Sequence, residues 1–370
     1  LLNKNVRSKI VLVTGAGGSI GSELCKQILK LCPFKLILVE INEYALYNIH
    51  QELEEIKQKV GGKLKQSQII PLLSSVQNEH RMKHIFNAYR PNTLYHAAAY
   101  KHVPLVEENI CEGVRNNVLG TLNIAKIAIE QKISNFVLIS SDKAVYPTNI
   151  MGASKRLAEI CLQGLFEKSK NTPTKLCMVR FGNVLDSSGS IIPRLKKQIK
   201  DGGPVTLTHL EVTRYFMTIP EAAQLVIQAG AMSSGSDVFL LEMGDPVKIL
   251  DLMKRVIFLS GFSVKDSNNP DGDIEIKIIG LRPGEKLHEE LFLGNNPQST
   301  EHPKILKAEE KFISWKHLGP DLENLKILLD QNKVKEVVNT LQKLVSGYKF
   351  NGKIYDRTFL ELTENNETKI

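Results

Sequence analysis

Three side chains able to handle protons stand in succession at Ser141, Asp142 and Lys143, inside the stretch SSDKAVYPTNIMGASKR that spans residues 140–156. A hydroxyl, a carboxyl and an amine in one turn can relay, donate and accept a proton, provided their surroundings set each protonation state. Lys155 has the spacing of a Tyr-x-x-x-Lys proton-transfer pair, but the position four residues earlier is Met151. A thioether neither takes nor gives a proton, so acid–base work falls to the other residues or the site is silent. Asp142 must hold a proton to act as an acid, which nearby lysines oppose and desolvation favours. Lys143 must be neutral to act as a base, and burial together with a second cation at Lys155 pushes it that way.

These residues end the apolar run NFVLIS (135–140), which reads as a buried strand. KIVLVTG (9–15), KLILVE (35–40), SQIIPLL (67–73) and TLYHAAA (93–99) read as strands too, and KLCMVRFGNV (175–184) as a sixth. SIGSELCKQILKLC (19–32) and EYALYNIHQELEEIKQKV (43–60) carry helical spacing between them. The alternation predicts an α/β fold with a doubly wound parallel sheet, because parallel strands need crossover helices. After about residue 180 the pattern loosens into a loop with a basic helix inside it (187–204), helical patterns at 220–232 and 246–260, and a strand at 237–244. The expected organisation is a mainly dinucleotide-binding Rossmann unit over 1–180 and a smaller, loop-rich substrate lobe over 181–320, with some strands returning to the sheet. A C-terminal helix and polar tail follow over 321–370, and LTENNETKI (362–370) is given no core role.

TGAGGSIG (14–21) joins the first strand to the first helix. Gly15 permits the tight turn, Gly18 lets backbone N–H groups approach a pyrophosphate, and Gly21 lets helix pack on strand, with Ser19 and Ile20 at the helix start. Glu40 ends the second strand, where a carboxylate accepts both ribose hydroxyls, and the following INEY offers no arginine for a 2′-phosphate. NAD is therefore expected as cofactor rather than NADP. Ser75 and Val76, in SSV (74–76), fall where related folds place an acidic residue against the adenine.

The chain of 370 residues carries 48 Lys and Arg against 40 Asp and Glu, for a net charge of +8, and is 42% hydrophobic and 24% charged. The lysines are scattered and no arginine-rich arm interleaves with aromatics, so nucleic acid is not an expected partner. No apolar run reaches the length of a membrane span. The five cysteines lack a C-x-x-C pair, which fits a reducing cytoplasm. Histidines and cysteines form no ligand cluster, so no metal site is expected. The start, LLNKNVRSKI, has neither an initiator Met nor a signal-peptide layout, as in a piece of a longer protein.

The glycine turn together with the lysine after the fifth strand resembles the extended short-chain dehydrogenases/reductases. HAAAYKHVPLVE (96–107), NNVLGT (116–121), SSDKAVYPTNIMGASKR, RFGNVLDSSGSIIP (180–193), EVTRYFMTIPEAAQLV (211–226) and GLRPGEKLHEELF (280–292) extend the likeness. Together they resemble the CapD-type polysaccharide biosynthesis proteins, bacterial nucleotide-sugar 4,6-dehydratases of capsule, O-antigen and glycoprotein assembly. The resemblance implies UDP-N-acetylglucosamine as substrate, tightly held NAD(P), and a UDP-4-keto-6-deoxy sugar as product. It assigns Ser141 to the C4 hydroxyl, Asp142 to protonation of the departing C6 hydroxyl, Lys143 to the C5 proton, and Lys155 to the nicotinamide ribose, with Met151 packing beside the sugar. Ala97, Ala98, Ala99, Asn116 and Ser140 join the cofactor contacts. Lys101, Asn183, Ser190, Thr208, Arg214, Arg282 and Glu285 fall on the substrate side, where a guanidinium fork matches phosphate oxygens.

Methionine at position 151 matches the membrane-attached branch of that family, which implies membrane helices upstream, work at the cytoplasmic face of the bacterial inner membrane, and retention at C5. A homo-oligomer is the default of the superfamily. Asp186 departs from the family's usual glycine. Two rival readings remain: a UDP-hexose 4-epimerase, and a silent NAD-binding protein marked by the missing tyrosine.

Overall fold

The computed structural model describes residues 1–169, 172–291 and 297–367. Strands β1 (Ile10–Thr14), β2 (Lys35–Glu40), β3 (Gln68–Leu73), β4 (Thr93–His96), β5 (Asn135–Ile139) and β6 (Lys175–Arg180) alternate with helices. These are α1 (Ser19–Lys30), α2 (Glu43–Val60), α3 (Glu79–Tyr89), the short α4 (Val103–Glu107) and α5 (Ile110–Val114), α6 (Thr121–Glu130) and α7 (Ile150–Lys168).

The second half adds β7 (Asn183–Val184), α8 (Ile191–Lys200), β8 (Val205–Leu207), β9 (Thr213–Arg214), β10 (Phe216–Met217), α9 (Ile219–Met232), β11 (Ser236–Leu241), β12 (Val247–Lys248) and α10 (Ile249–Leu259). Then come β13 (Val264–Lys265), β14 (Ile274–Ile278), β15 (Gln298–Ser299), β16 (Ile305–Ala308), α11 (Trp315–Asp330), α12 (Val334–Leu344) and α13 (Arg357–Glu367).

The main sheet runs β15-β16-β11-β6-β5-β4-β1-β2-β3, with every neighbour from β11 to β3 parallel and β16 antiparallel to β11. Successive side chains of a strand point to opposite faces. Val11, Val13, Leu36 and Leu38 accordingly enter one core, and Leu12, Ile37 and Val39 the other. The strand order reverses between β1 and β4, which opens a crevice at their carboxyl ends. A third, smaller core of Leu195, Ile199, Val205, Leu207, Ile249, Met253 and Ile274 holds α8 and α10 against β8 and β14, above that crevice.

Where one helix and a tail are expected over 321–370, the structure has the end of α11, then α12 and α13. Leu318, Leu322, Leu325 and Leu329 on α11 and Val334, Val337, Val338 and Leu341 on α12 repeat three or four apart, and all are buried in the core that also holds α7. LTENNETKI begins inside α13, and residues 368–370 lie outside the described residues. His80 and His84 stand one turn apart on α3, but no third ligand joins them among the described residues. No helix there is long and apolar enough to cross a membrane.

Candidate active site

The turn after β1 tolerates no side chain at Gly15 or Gly21. Gly15 has φ 65°, and a Cβ on it would stand 2.7 Å from the Ala98 nitrogen, while one on Gly21 would collide with the Gly15 carbonyl oxygen. Gly18 is the residue before α1, so free N–H groups of the helix start face outward, as a phosphate requires. This cradle fits a dinucleotide. Glu40 is more occupied than expected: Oε2 accepts from the Gly17 N–H at 3.0 Å, and Oε1 from Ile41 at 2.9 Å and Asn42 at 3.0 Å. A carboxylate offers about four acceptor sites, so roughly one remains, fewer than two ribose hydroxyls need.

A cavity of about 780 Å³ opens from this turn toward the small lobe. Its wall includes Gly18, Ser19, Ile20 and Gly21, then Ala97, Ala99 and Lys101 beyond β4, and Ser140, Ser141, Lys143, Met151 and Lys155 beyond β5. Asn183, Ser190, Thr208, Arg214, Arg282 and Glu285 line the opposite side. Gly15, Glu40, Ser75, Val76, Ala98, Asn116 and Asp142 do not reach the wall. Val76 packs beneath Gly120, Ser75 Oγ caps the Gln77 N–H at 3.1 Å, and Asn116 is buried against Asn117 and Gln77.

Asp142 is 1% exposed and lies behind Ser141 and Lys143 rather than beside them. Ser141 Oγ donates to Asp142 Oδ1 at 2.9 Å, and Lys143 Nζ meets the same oxygen at 3.0 Å. Lys143 Nζ also donates to Asn183 Oδ1 at 3.2 Å and stands 3.6 Å from Glu289 Oε1. Burial pulls the Lys143 pKa down, but Asp142 and Glu289 outweigh it and the net shift is upward. The neutral amine expected from the sequence is therefore not the resting state, because two carboxylates hold the ammonium. Lys155 behaves oppositely: burial lowers it to about 8, with Glu159 opposing in part, and Nζ donates to the Ile139 carbonyl at 2.5 Å.

On the far side, Arg214 Nη2 lies 3.2 Å from Glu285 Oε1, and Thr208 Oγ1 donates to that oxygen at 2.9 Å. The sequence reading missed Arg194, which lines the cavity, donates to Thr206 Oγ1 at 2.8 Å and lies within electrostatic reach of Arg282. It also missed Glu289, although the residue falls inside a quoted motif. The loop after β7 closes over the glycine turn: the Ser188 N–H donates to Ser19 Oγ at 3.1 Å, and Gly189 packs on the His102 ring. Asp186 takes the left-handed φ of 57° and faces solvent, with Lys196 3.6 Å away.

A glycine turn at a switch-point crevice, with a lysine on the helix after β5, defines an extended short-chain dehydrogenase/reductase. The solved structure of Pen from Bacillus thuringiensis superposes with a TM-score of 0.71 at 29% identity, over 88% of this chain and 98% of that one. A family model described as polysaccharide biosynthesis protein matches residues 11–310, and the chain belongs to that family. The capsular polysaccharide biosynthesis protein CapD of Staphylococcus aureus is 52% identical over 341 residues, 92% of this chain and 54% of CapD, so the chain spans about half of that relative's length. A UDP-glucose 4-epimerase of Rickettsia rickettsii is 31% identical over 283 residues, 76% of this chain and 77% of the epimerase.

Proposed function

We propose that this protein is a UDP-N-acetylglucosamine 4,6-dehydratase serving surface polysaccharide or glycoprotein glycan synthesis. The observation that carries the reading is the Ser141–Asp142–Lys143 cluster at the carboxyl end of β5, beside Met151 and Lys155 on the cavity wall. Bound at the glycine turn, NAD would take hydride from C4 and return it to C6, so the net redox change is zero. Gly18, Ser19 and Ile20 would hold its pyrophosphate and Lys155 its nicotinamide ribose. Arg214 and Arg282 would hold the substrate diphosphate.

The proton steps balance within the cluster. Starting from neutral Lys143 and ionised Asp142, Ser141 Oγ takes the C4 hydroxyl proton while passing its own to Asp142 Oδ1. The new ketone acidifies C5, and Lys143 removes the C5 proton as the C5–C6 double bond forms. The C6–O bond breaks, and the Asp142 proton returns through Ser141 to leave with it as water. Lys143 reprotonates C5 as C6 is reduced, which restores the starting state. Asp142 never needs to touch the sugar, which suits its place behind Ser141. Because the resting ammonium must first lose a proton, the rate is expected to rise with pH.

The test is the product mass after incubation with UDP-N-acetylglucosamine in deuterated water. Loss of one water with one deuterium gained at C5 is the expected result. An unchanged mass with a C4 epimer would move the reading to an epimerase, which the 31% identical relative keeps in view. Absence of turnover by protein that binds both cofactor and substrate would sink the enzymatic reading.

A further inference from the structure

Glu289 belongs to this cluster and has no part in the proton or hydride steps. Its side chain is 4% exposed, and Oε1 stands 3.6 Å from Lys143 Nζ and 3.6 Å from Arg214 Nε. One carboxylate oxygen thus faces both the amine of the proton cluster and a guanidinium of the anion side. Among the described residues, Oε2 is buried without a hydrogen-bond partner, as is Oδ2 of Asp142. A buried carboxylate oxygen without a partner carries a full desolvation cost, so simple packing does not account for an acid here.

We propose that Glu289 is a positioning residue that holds Lys143 as an ammonium between two carboxylates and so sets the pH at which it becomes a base. This inference rests on the dehydratase reading for its purpose, though not for its test. The charged groups around Lys143 are Asp142 from its own turn, Glu289 from the segment that follows Glu285, and Arg214 from β9. Asn183 on β7 adds a neutral acceptor, and Glu285 shares Arg214 with Glu289. Asp142 alone would neutralise the ammonium. The second carboxylate adds proton affinity and a second anchor, which fixes Nζ toward the wall. An anion drawn onto Arg214 competes with Glu289 for the same guanidinium, so filling the far side of the cavity is felt at Lys143.

The experiment measures acetylation of Lys143 by acetic anhydride, which reacts with neutral amines, across pH 6 to 11 by peptide mass spectrometry. It uses the full chain as wild type, Glu289→Gln and Glu289→Asp, with surface lysines as internal standards. In the wild type the Lys143 midpoint should lie above those standards, and a midpoint at or below them overturns the proposal. Glu289→Gln should acetylate Lys143 about tenfold faster near neutral pH, the equivalent of one pKa unit. Glu289→Asp, which keeps the charge, should stay close to the wild type. An unchanged Lys143 midpoint in folded Glu289→Gln overturns the proposal, and the wild-type midpoint decides it should that variant not fold.

Turnover of UDP-N-acetylglucosamine is measured separately. Its absence with a high Lys143 midpoint would remove the dehydratase reading and leave the electrostatic role standing. Where turnover occurs, the basic rise of kcat should move to lower pH in Glu289→Gln, a shift that loss of structure alone does not produce.

Discussion

Ser140 Oγ donates a 2.6 Å hydrogen bond to Glu159 Oε1, tying the last residue before the Ser141–Lys143 turn to the middle of α7. Glu159 is wholly buried and also receives Arg180 Nε at 2.8 Å, Arg180 Nη2 at 2.6 Å and Arg156 Nη1 at 3.0 Å. Arg156 and Arg180 both reach on to Glu310. Lys155 lies one helical turn before Glu159, so this network sets the spacing between the β5 turn and the lysine.

Acid should therefore loosen the site. Burial raises the Glu159 pKa, but Arg180 and Arg156 outweigh it and bring it to about 2, against 4.5 unperturbed. A carboxyl depressed in the folded state stabilises above its unfolded pKa, and loses that contribution as pH falls from 4.5 toward 2. The contribution is on the order of 3 kcal/mol. Calorimetric melts of the wild type should fall over that window. Glu159→Gln, which leaves two buried guanidinium groups to share the single carboxylate of Glu310, should be destabilised by about 3–5 kcal/mol already at pH 7. A variant melting like the wild type at pH 7 would remove the network from any account of stability.

Lys155 should trade stability for function. Its folded pKa of about 8 lies below the unperturbed 10.5, so the unfolded chain binds more protons between those values and stability rises with pH there. At pH 7 the buried cation costs up to about 3 kcal/mol, less what its bond to Ile139 returns. Cofactor-free Lys155→Met is expected to melt at or above the wild-type temperature at pH 7, and to bind NAD far more weakly in a calorimetric titration. Lower stability with intact NAD binding would reverse both assignments.

Met151 is buried in the cavity wall, with Ser154 Oγ donating to its carbonyl at 2.7 Å, a bond that does not depend on its side chain. Leucine matches it in volume, and such exchanges usually cost under about 1.5 kcal/mol. Met151→Leu should keep kcat within roughly tenfold. A folded variant with unchanged NAD binding and a far larger loss would show that the sulfur does more than pack.

Asp186 sits at φ 57°, where a Cβ is strained and glycine is not. Its one ion pair among the described residues is with an exposed lysine, and pairs of that kind contribute little. Asp186→Gly should leave stability the same or raise it by about 0.5 kcal/mol, as relief of strain offsets a looser unfolded chain. A drop of more than about 1 kcal/mol in urea titration would assign the carboxylate a role that its exposure does not suggest.

The parallel sheet, the glycine turn and the Ser141–Lys155 stretch were legible because each depends on near neighbours: apolar periodicity, a turn that excludes Cβ atoms, and spacing along one strand–loop–helix unit. What depends on distant partners was not. Nothing near Glu159 reveals Arg180 or Glu310, and nothing near Lys143 reveals Glu289, so Lys143 read as a candidate neutral amine when its partner carboxylate lies far down the chain. Glu40 was placed at the right strand end, but its bonds to the Gly17, Ile41 and Asn42 amides depend on how two turns meet. The apolar period of 315–344 is present in the sequence, but a single expected helix does not show its break into α11 and α12, which the turn at 331–333 sets.

From Ile150 to Leu165 every residue of α7 is buried, and part of the cover comes from α11 and α12, which lie far downstream in the chain. Domains generally fold as units and from the N-terminal end during synthesis. On the ribosome the sheet can assemble while α7, carrying Met151 and Lys155, still shows bare apolar surface on its outer side. Helix α7 is then a late-maturing part of the protein. Newly made chains are most exposed to aggregation and to proteases in the interval before residues 315–344 emerge.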